Sequence, residues 1–321
     1  MASPINIKNW SPFKIDALGM VMLLGADAIR KSTGPLFYFP FEYLPFLASH
    51  IFADNSVREP IPGFELYNVT EAFKATDLSA GLTRWLSCQK LSYNSTRLRI
   101  QAVHHVPGPQ IEQRLGIGLA VVVNAFLINW PMLIEYWYGL AASFSLVALV
   151  VIRACILYDF RDSIDKAIKK LDDQETKKTE DKLFVTSPNG KRLTVVTTTG
   201  IAQEVLLAEA RPSSENLHLV SRALCWLSFC VHTVTLGMAC LAVQLLIITV
   251  TLVSSVAMIQ GWFSEGSNSN DTCIGSRLLI NRQIDERIGS MSSVYVLLDL
   301  TEEEDQNMIA WSIFPTQHNK L

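Results

Sequence analysis

Two long apolar blocks limit what this chain can fold into. The first, Leu115 to Tyr158, reads LGIGLAVVVNAFLINWPMLIEYWYGLAASFSLVALVVIRACILY. The second, Leu217 to Phe263, contains ALCWLSFCVHTVTLGMACLAVQLLIITVTLVSSVAMIQGWF. A bilayer core about 30 Å thick requires about 20 mostly apolar residues per helix. Each block therefore has the length of two spans with almost nothing left for a loop. The expected fold class is mainly α: an integral membrane helical protein with four spans as two hairpins. Spans are expected at about Leu115–Trp130, Tyr136–Leu157, Leu219–Leu236 and Leu241–Trp262. The first hairpin turns near Asn129–Glu135, where Pro131 suits a turn or a helix start. Trp130, Tyr136, Trp137 and Tyr138 mark a headgroup interface there. The second turns near Gly237–Cys240. Arg153, in the last turns of the second span, is expected to snorkel to the nearby surface.

Around the blocks the chain divides into an N-terminal helical and interfacial region (1–114), the first hairpin (115–158), a charged helix and β insert (159–216), the second hairpin (217–263) and a soluble tail (264–321). Asp16–Lys31 and Thr70–Lys90 have helical apolar spacing. Segment 34–53 is aromatic-rich and broken by Pro35, Pro40 and Pro45. It reads as interfacial, or as an aromatic core under a loop. The short run Ala17–Ala26 is closed by Asp27, Arg30 and Lys31, unlike a cleaved signal. After Asp159, charge of both signs gives a solvated helix with Ile164, Ile168 and Leu171 as its apolar stripe. Leu183–Leu207 is rich in Val, Thr and Ile. Asn189-Gly190 there predicts a two- or three-stranded antiparallel insert with a type I′ turn, and Gly200 a second turn. Thr301 and Glu304 form a capping box before a helix over 302–313.

The stretches NGKRLTVVTTTG, FCVHTVTLGMACLAVQLL, IGSRLLI and YVLLDLTEEEDQNMIAW resemble an uncharacterised family of filamentous-fungal multi-span membrane proteins. The likeness covers roughly Leu183 to Pro315. Members share a short β segment before a VHxxTLG span and an acidic LxLTxEEE helix near the end. The resemblance carries no catalytic residues. Some genes of this type neighbour secondary-metabolite clusters, so it implies an accessory role there as one expectation.

Chemistry-bearing motifs are sparse. A net charge of −3 gives no electrostatic case for nucleic acid. Of six cysteines, four fall in the apolar blocks and none forms a CxxC pair, so neither a zinc site nor a disulfide scaffold is expected. There is no P-loop, GxGxxG, GxSxG or HExxH. No cofactor or metal is expected. His104-His105 points two ways on any regular element. Glu302, Glu303, Glu304 and Asp305 lack the alternating oxygens of a calcium loop and suit a helix dipole. The intramembrane polar candidates are His232, Asn124, Asn129 and Gln244, read first as interhelical bridges and second as a transport path. Asn9, Asn68, Asn94 and Asn270 begin glycosylation sequons, used only on a lumenal face. Basic residues flank the hairpins while the turns carry none. The positive-inside rule then puts every soluble segment in the cytosol. The expected partners are the bilayer and proteins met through those segments. A non-enzymatic scaffold, regulator or accessory factor leads, a transporter or channel is the alternative, and a membrane enzyme comes third.

Overall fold

The computed structural model describes residues 42–46, 52, 58–88, 96–103, 111–173, 179–190, 192–209, 211–268, 271–274, 277–284 and 300–311. The chain splits into two compact units. One comprises Met1–Glu59, Pro107–Ser163 and Arg211–Ser267, the other Pro60–Val106, Ile164–Ala210 and Asn268–Leu321. The expected elements in Asp16–Lys31 and in most of 34–53 lie outside the described residues, as does His104-His105.

The first unit is a helical bundle. After α1 (Ala80–Cys88, in the other unit), α2 runs Ile111–Leu133 and α3 runs Trp137–Asp173. Next come α4 (Glu215–Met238) and α5 (Leu241–Asn268). Three of these are long and apolar enough to cross a membrane: Arg114–Leu133, Trp137–Asp172 and Glu215–Met238. A shorter apolar stretch, Leu241–Ala257, opens α5. The turns fall where the sequence put them. Glu135 takes φ +53° between α2 and α3, and Ala239-Cys240 separates α4 from α5. Pro131 sits inside the last turn of α2 rather than at a helix start. The exit helix after Asp159 is no separate element, because α3 is continuous through it.

All four helices meet in one apolar cluster. Leu127, Ala142, Leu146, Leu236, Ala239, Cys240, Val243 and Ile247 are buried together. Gly139 permits the close approach of α3 and α5, since a Cβ there would stand 2.9 Å from Val243 Cγ1. The outer faces remain apolar and exposed, with Leu115, Val122, Trp137, Leu219, Leu227 and Val253 among them. A water-soluble helix would place charge on such faces. Tyr136, in the first turn, donates its hydroxyl to Met238 O in the second (3.1 Å), so the two turns lie at the same end of the bundle.

The second unit corrects the expected insert. Its described residues include a seven-stranded mixed sheet in the order β2-β1-β4-β5-β3-β7-β6. The strands are β1 (Glu65–Asn68), β2 (Phe73–Ala75), β3 (Thr96–Ala102), β4 (Glu180–Thr186), β5 (Arg192–Thr198), β6 (Asp271–Ile274) and β7 (Leu278–Ile284). β4 and β5 form the expected hairpin, with Glu180↔Thr198 through Thr186↔Arg192 in register. They are not free-standing. β1 pairs with β4, and β3 runs parallel to β5. β7 joins the other edge of β3. Strands before, between and after the two apolar blocks thus share one sheet. Leu183, Phe184, Val185, Val195 and Val196 are all buried, so these two strands are covered on both faces.

Three local expectations change with it. The helix predicted over Thr70–Lys90 is confined to α1, because Phe73–Ala75 pairs as β2. The 187–190 turn is not type I′: only Gly190, of its four residues, has positive φ (+71°), and Gly190 N–H bonds to Ser187 O at 2.9 Å. Pro188 in second position favours this geometry. Gly200 makes no strand turn. It lies in a short helix, Thr199–Ile201, where a Cβ would come within 2.9 Å of Leu171 Cδ2, and a π-helical stretch Ala202–Leu207 follows. The final helix α6 (Glu302–Ala310) carries the expected capping box.

Candidate functional site

The four polar residues singled out in the apolar helices each bond to a different part of the backbone. His232 Nδ1 lies 2.8 Å from Ala142 O. A carbonyl only accepts, so Nδ1 carries the proton and donates, tying α4 to α3. Ser145 Oγ stands 3.5 Å from the same nitrogen. Gln244 Nε2 donates to Leu236 O (2.9 Å) and Ala239 O (3.1 Å), and lies 3.5 Å from Gly237 O. These carbonyls lie at the end of α4, past the reach of i+4 amides, and Leu236 O also accepts from the Ala239 amide at 3.1 Å. Gln244 is therefore a C-terminal cap supplied by the next helix. Asn124 Nδ2 donates to Tyr43 O at 3.1 Å. Asn129, exposed, donates back to Ala125 O at 2.8 Å within its own helix. No two of the four share a partner.

A charged cluster that the sequence reading missed lies in the same unit. Arg153 does not snorkel. It is 2% exposed and donates to the carbonyls of Glu42 and Leu44. Its guanidinium sits 4.0 Å from the Phe46 ring centroid. Arg161, two turns on, makes a two-pronged pair with Glu42 at 3.0 and 2.7 Å. Two arginines on α3 thus clamp 42–46. The usable signal was the lone Glu42 among aromatics, whose burial requires a cation.

In the sheet unit the polar residues are linked along one seam. Asn68, fully buried, donates to Asp181 Oδ2 (3.1 Å) and accepts from the Thr70 and Glu71 amides. Thr199 Oγ1 donates to Asp181 Oδ1 at 2.8 Å. Thr70 Oγ1 donates to Glu304 Oε1 (3.1 Å) while accepting from Lys182 N (3.0 Å). Lys182 Nζ pairs with Glu304 Oε2 at 2.8 Å. Glu304 is therefore more than a dipole charge. Burial pushes its pKa up, but the bonds from Lys182, the Thr301 amide and Thr70 outweigh that and hold the carboxyl below its ordinary range. At the sheet margin Tyr67 donates to Glu65 (2.6 Å), with Lys74 bonded to the same carboxylate (2.9 Å). Those two bonds lower the Glu65 pKa, and the one to Glu65 raises that of Lys74.

Of the sequons, Asn9, Asn94 and Asn270 lie outside the described residues. Asn68 is described, and its amide is enclosed. Among the described residues no three His, Cys, Asp or Glu side chains group as metal ligands. The three apolar helices are consistent with a membrane protein. No family model, no curated protein and no solved structure matches the chain.

Proposed function

We propose that this is a four-crossing membrane protein whose two hairpins enter from one side and carry a single sheet domain there. In this reading it acts without catalysis, as a scaffold, regulator or accessory factor. The observation that carries it is the sheet. β3, β5 and β7 are hydrogen-bonded neighbours, yet the first apolar block separates β3 from β5 and the second separates β5 from β7. A backbone ladder does not form across a bilayer core. Each block then crosses an even number of times, and at its length that number is two. The Tyr136–Met238 bond supports the same orientation for both hairpins.

Asn68 favours the cytosol for that side. Its partner Asp181 lies 113 residues downstream, beyond the first hairpin. On a lumenal face Asn68-Val69-Thr70 would meet the glycosylation machinery before Asp181 was made, and a glycan does not fit at a fully buried amide. The polar residues favour structure over transport, since each one's donor is already committed to backbone. The resemblance to fungal multi-span proteins makes secondary metabolism one setting for an accessory role.

Reporters at the C-terminus and within 174–178 test the topology: both should lie in the cytosol, and opposite sides would end the double-hairpin reading. The functional class is tested in a deletion strain by metabolite profiling. His232→Gln at wild-type abundance should restore the profile, and failure to restore it would bring transport forward.

A further inference from the structure

Residues 42–46 belong to the helical unit yet are neither helix nor strand. Glu42, Leu44, Pro45 and Phe46 are buried. Glu42–Leu44 form a turn, and side chains of the apolar helices meet all three of its carbonyls. Asn124 donates to Tyr43 O, and Arg153 Nη2 donates to the carbonyls of both Glu42 and Leu44. Pro45 has no amide hydrogen to satisfy. The levels of these partners fix the depth of the turn. Asn124 stands midway along the span Arg114–Leu133, about 14 Å from either end by helical rise. Arg153 is about 24 Å from the start of α3, within a hydrocarbon core about 30 Å thick. Arg161 is about 36 Å from that start, beyond the core, and takes the Glu42 carboxylate. Two carbonyls one residue apart converge on a single guanidinium nitrogen, so the chain reverses there. By Arg58 it has returned to the surface. Arg58 pairs with Glu215 at 3.4 Å in the first turn of α4, at the end opposite Met238.

We propose that 42–46 is a re-entrant turn. The chain dips into the bilayer from the side on which α4 begins, reverses at Tyr43 and leaves on the same side. The proposal rests on the four-crossing reading and adds to it a fifth intramembrane element that does not cross. Irregular backbone persists at membrane depth only where protein encloses it or where it lines a water-filled path. Asn124 and Arg153 occupy the carbonyls that such a path would use, so the turn is a wedge tying α2 to α3 and not a conducting filter. The same contacts account for a cation inside an apolar helix. Arg153 exchanges water for two carbonyls and for the rings of Phe46 and Phe52, whose centroids lie 4.0 and 6.0 Å from its guanidinium carbon. The basic residues Lys8, Lys14, Arg30 and Lys31 ahead of the turn favour entry from the cytosolic side.

The test uses the full chain in sealed lipid vesicles, with the native cysteines replaced by alanine. A bimane label is placed on a cysteine at Tyr43, which is half-buried, or at Ala125, which is exposed on α2. Lipids brominated in the middle of their chains should quench both labels. Quenching at 125 without quenching at 43 would overturn the re-entrant turn and leave the four crossings standing. Quenching at neither would overturn the crossings and the turn with them. An impermeant thiol reagent should reach a cysteine at Ser32 from the same side as one in 174–178. Opposite sides would make 34–53 a crossing and overturn re-entrance. In the unlabelled chain with its native cysteines, Arg153→Met should speed amide hydrogen exchange over 43–46 about tenfold, as the loss of charged hydrogen bonds requires, with α4 unchanged. Asn124→Leu, which leaves both arginines in place, should do the same severalfold. Unchanged exchange in both variants would overturn the wedge.

Discussion

At the residue scale, the polar side chains of the apolar helices are best understood by which backbone groups they satisfy. Gln244 covers carbonyls at the α4 terminus. Gln244→Leu would strip Leu236 O and Ala239 O of this side-chain donor in an apolar setting, leaving Leu236 O with the Ala239 amide, at about 1–3 kcal/mol. Thermal unfolding in detergent should show that loss, whereas Asn129→Leu, at an exposed back-bonded site, should fall within about 0.5 kcal/mol of wild type. The Arg161–Glu42 pair is nearly sealed, with side chains 4% and 6% exposed. Removing one partner from such a pair costs about 3–5 kcal/mol. Glu42→Gln should therefore destabilise the bundle more than Gln244→Leu in the same assay; equal or smaller loss would mean that Arg153 and the carbonyls suffice to hold 42–46. Glu304 gives a pH dependence. Its folded-state pKa is depressed, so its contribution is complete above the ordinary carboxylate value of about 4.3 and lost as pH falls through the lower folded value. Pepsin should accordingly cut wild-type 300–311 only as acidity increases through that window, and cut Glu304→Gln throughout it.

Among the elements, the β4–β5 loop separates a pattern from its mechanism. Asn189-Gly190 did mark a hairpin, but the strain falls on one residue. With φ +71° at Gly190 alone, Gly190→Val should cost about 1–2 kcal/mol. Asn189→Ala should stay within about 0.5 kcal/mol; a large loss at Asn189 would restore the two-residue turn. Hydrogen exchange across β4 and β5 reads both. Apolar length located the bundle helices well, because a run of about 20 apolar residues is local information. Periodicity was the signal for the flanking helices. It overextended the helix toward Thr70, where Phe73–Ala75 takes its conformation from β1. Strands such as Thr96–Ala102 do alternate, Leu98 and Ile100 against Arg97, Arg99 and Gln101, but a period of two fixes no place in a sheet. Their partners β5 and β7 decide them.

On the scale of the whole molecule, the chain interleaves two structures: hairpins that leave the sheet and strands that return to it. Thiol labelling of a single cysteine introduced at Glu135, in the first turn, should report the side opposite to the reporter in 174–178. Same-side labelling would remove the crossing. What the sequence determined by itself was the apolar bundle, its two turns, the β4–β5 hairpin and the α6 cap. Each depends on side chains within one or two turns of one another. Tertiary structure alone decided the seven-strand order, the burial of Arg153 and Asn68, and the seat of Glu304 on Lys182. Those contacts join residues about 110 to 230 positions apart. No local pattern encodes such partners, because the free energy of a buried charge or an unpaired strand edge depends on what arrives to satisfy it.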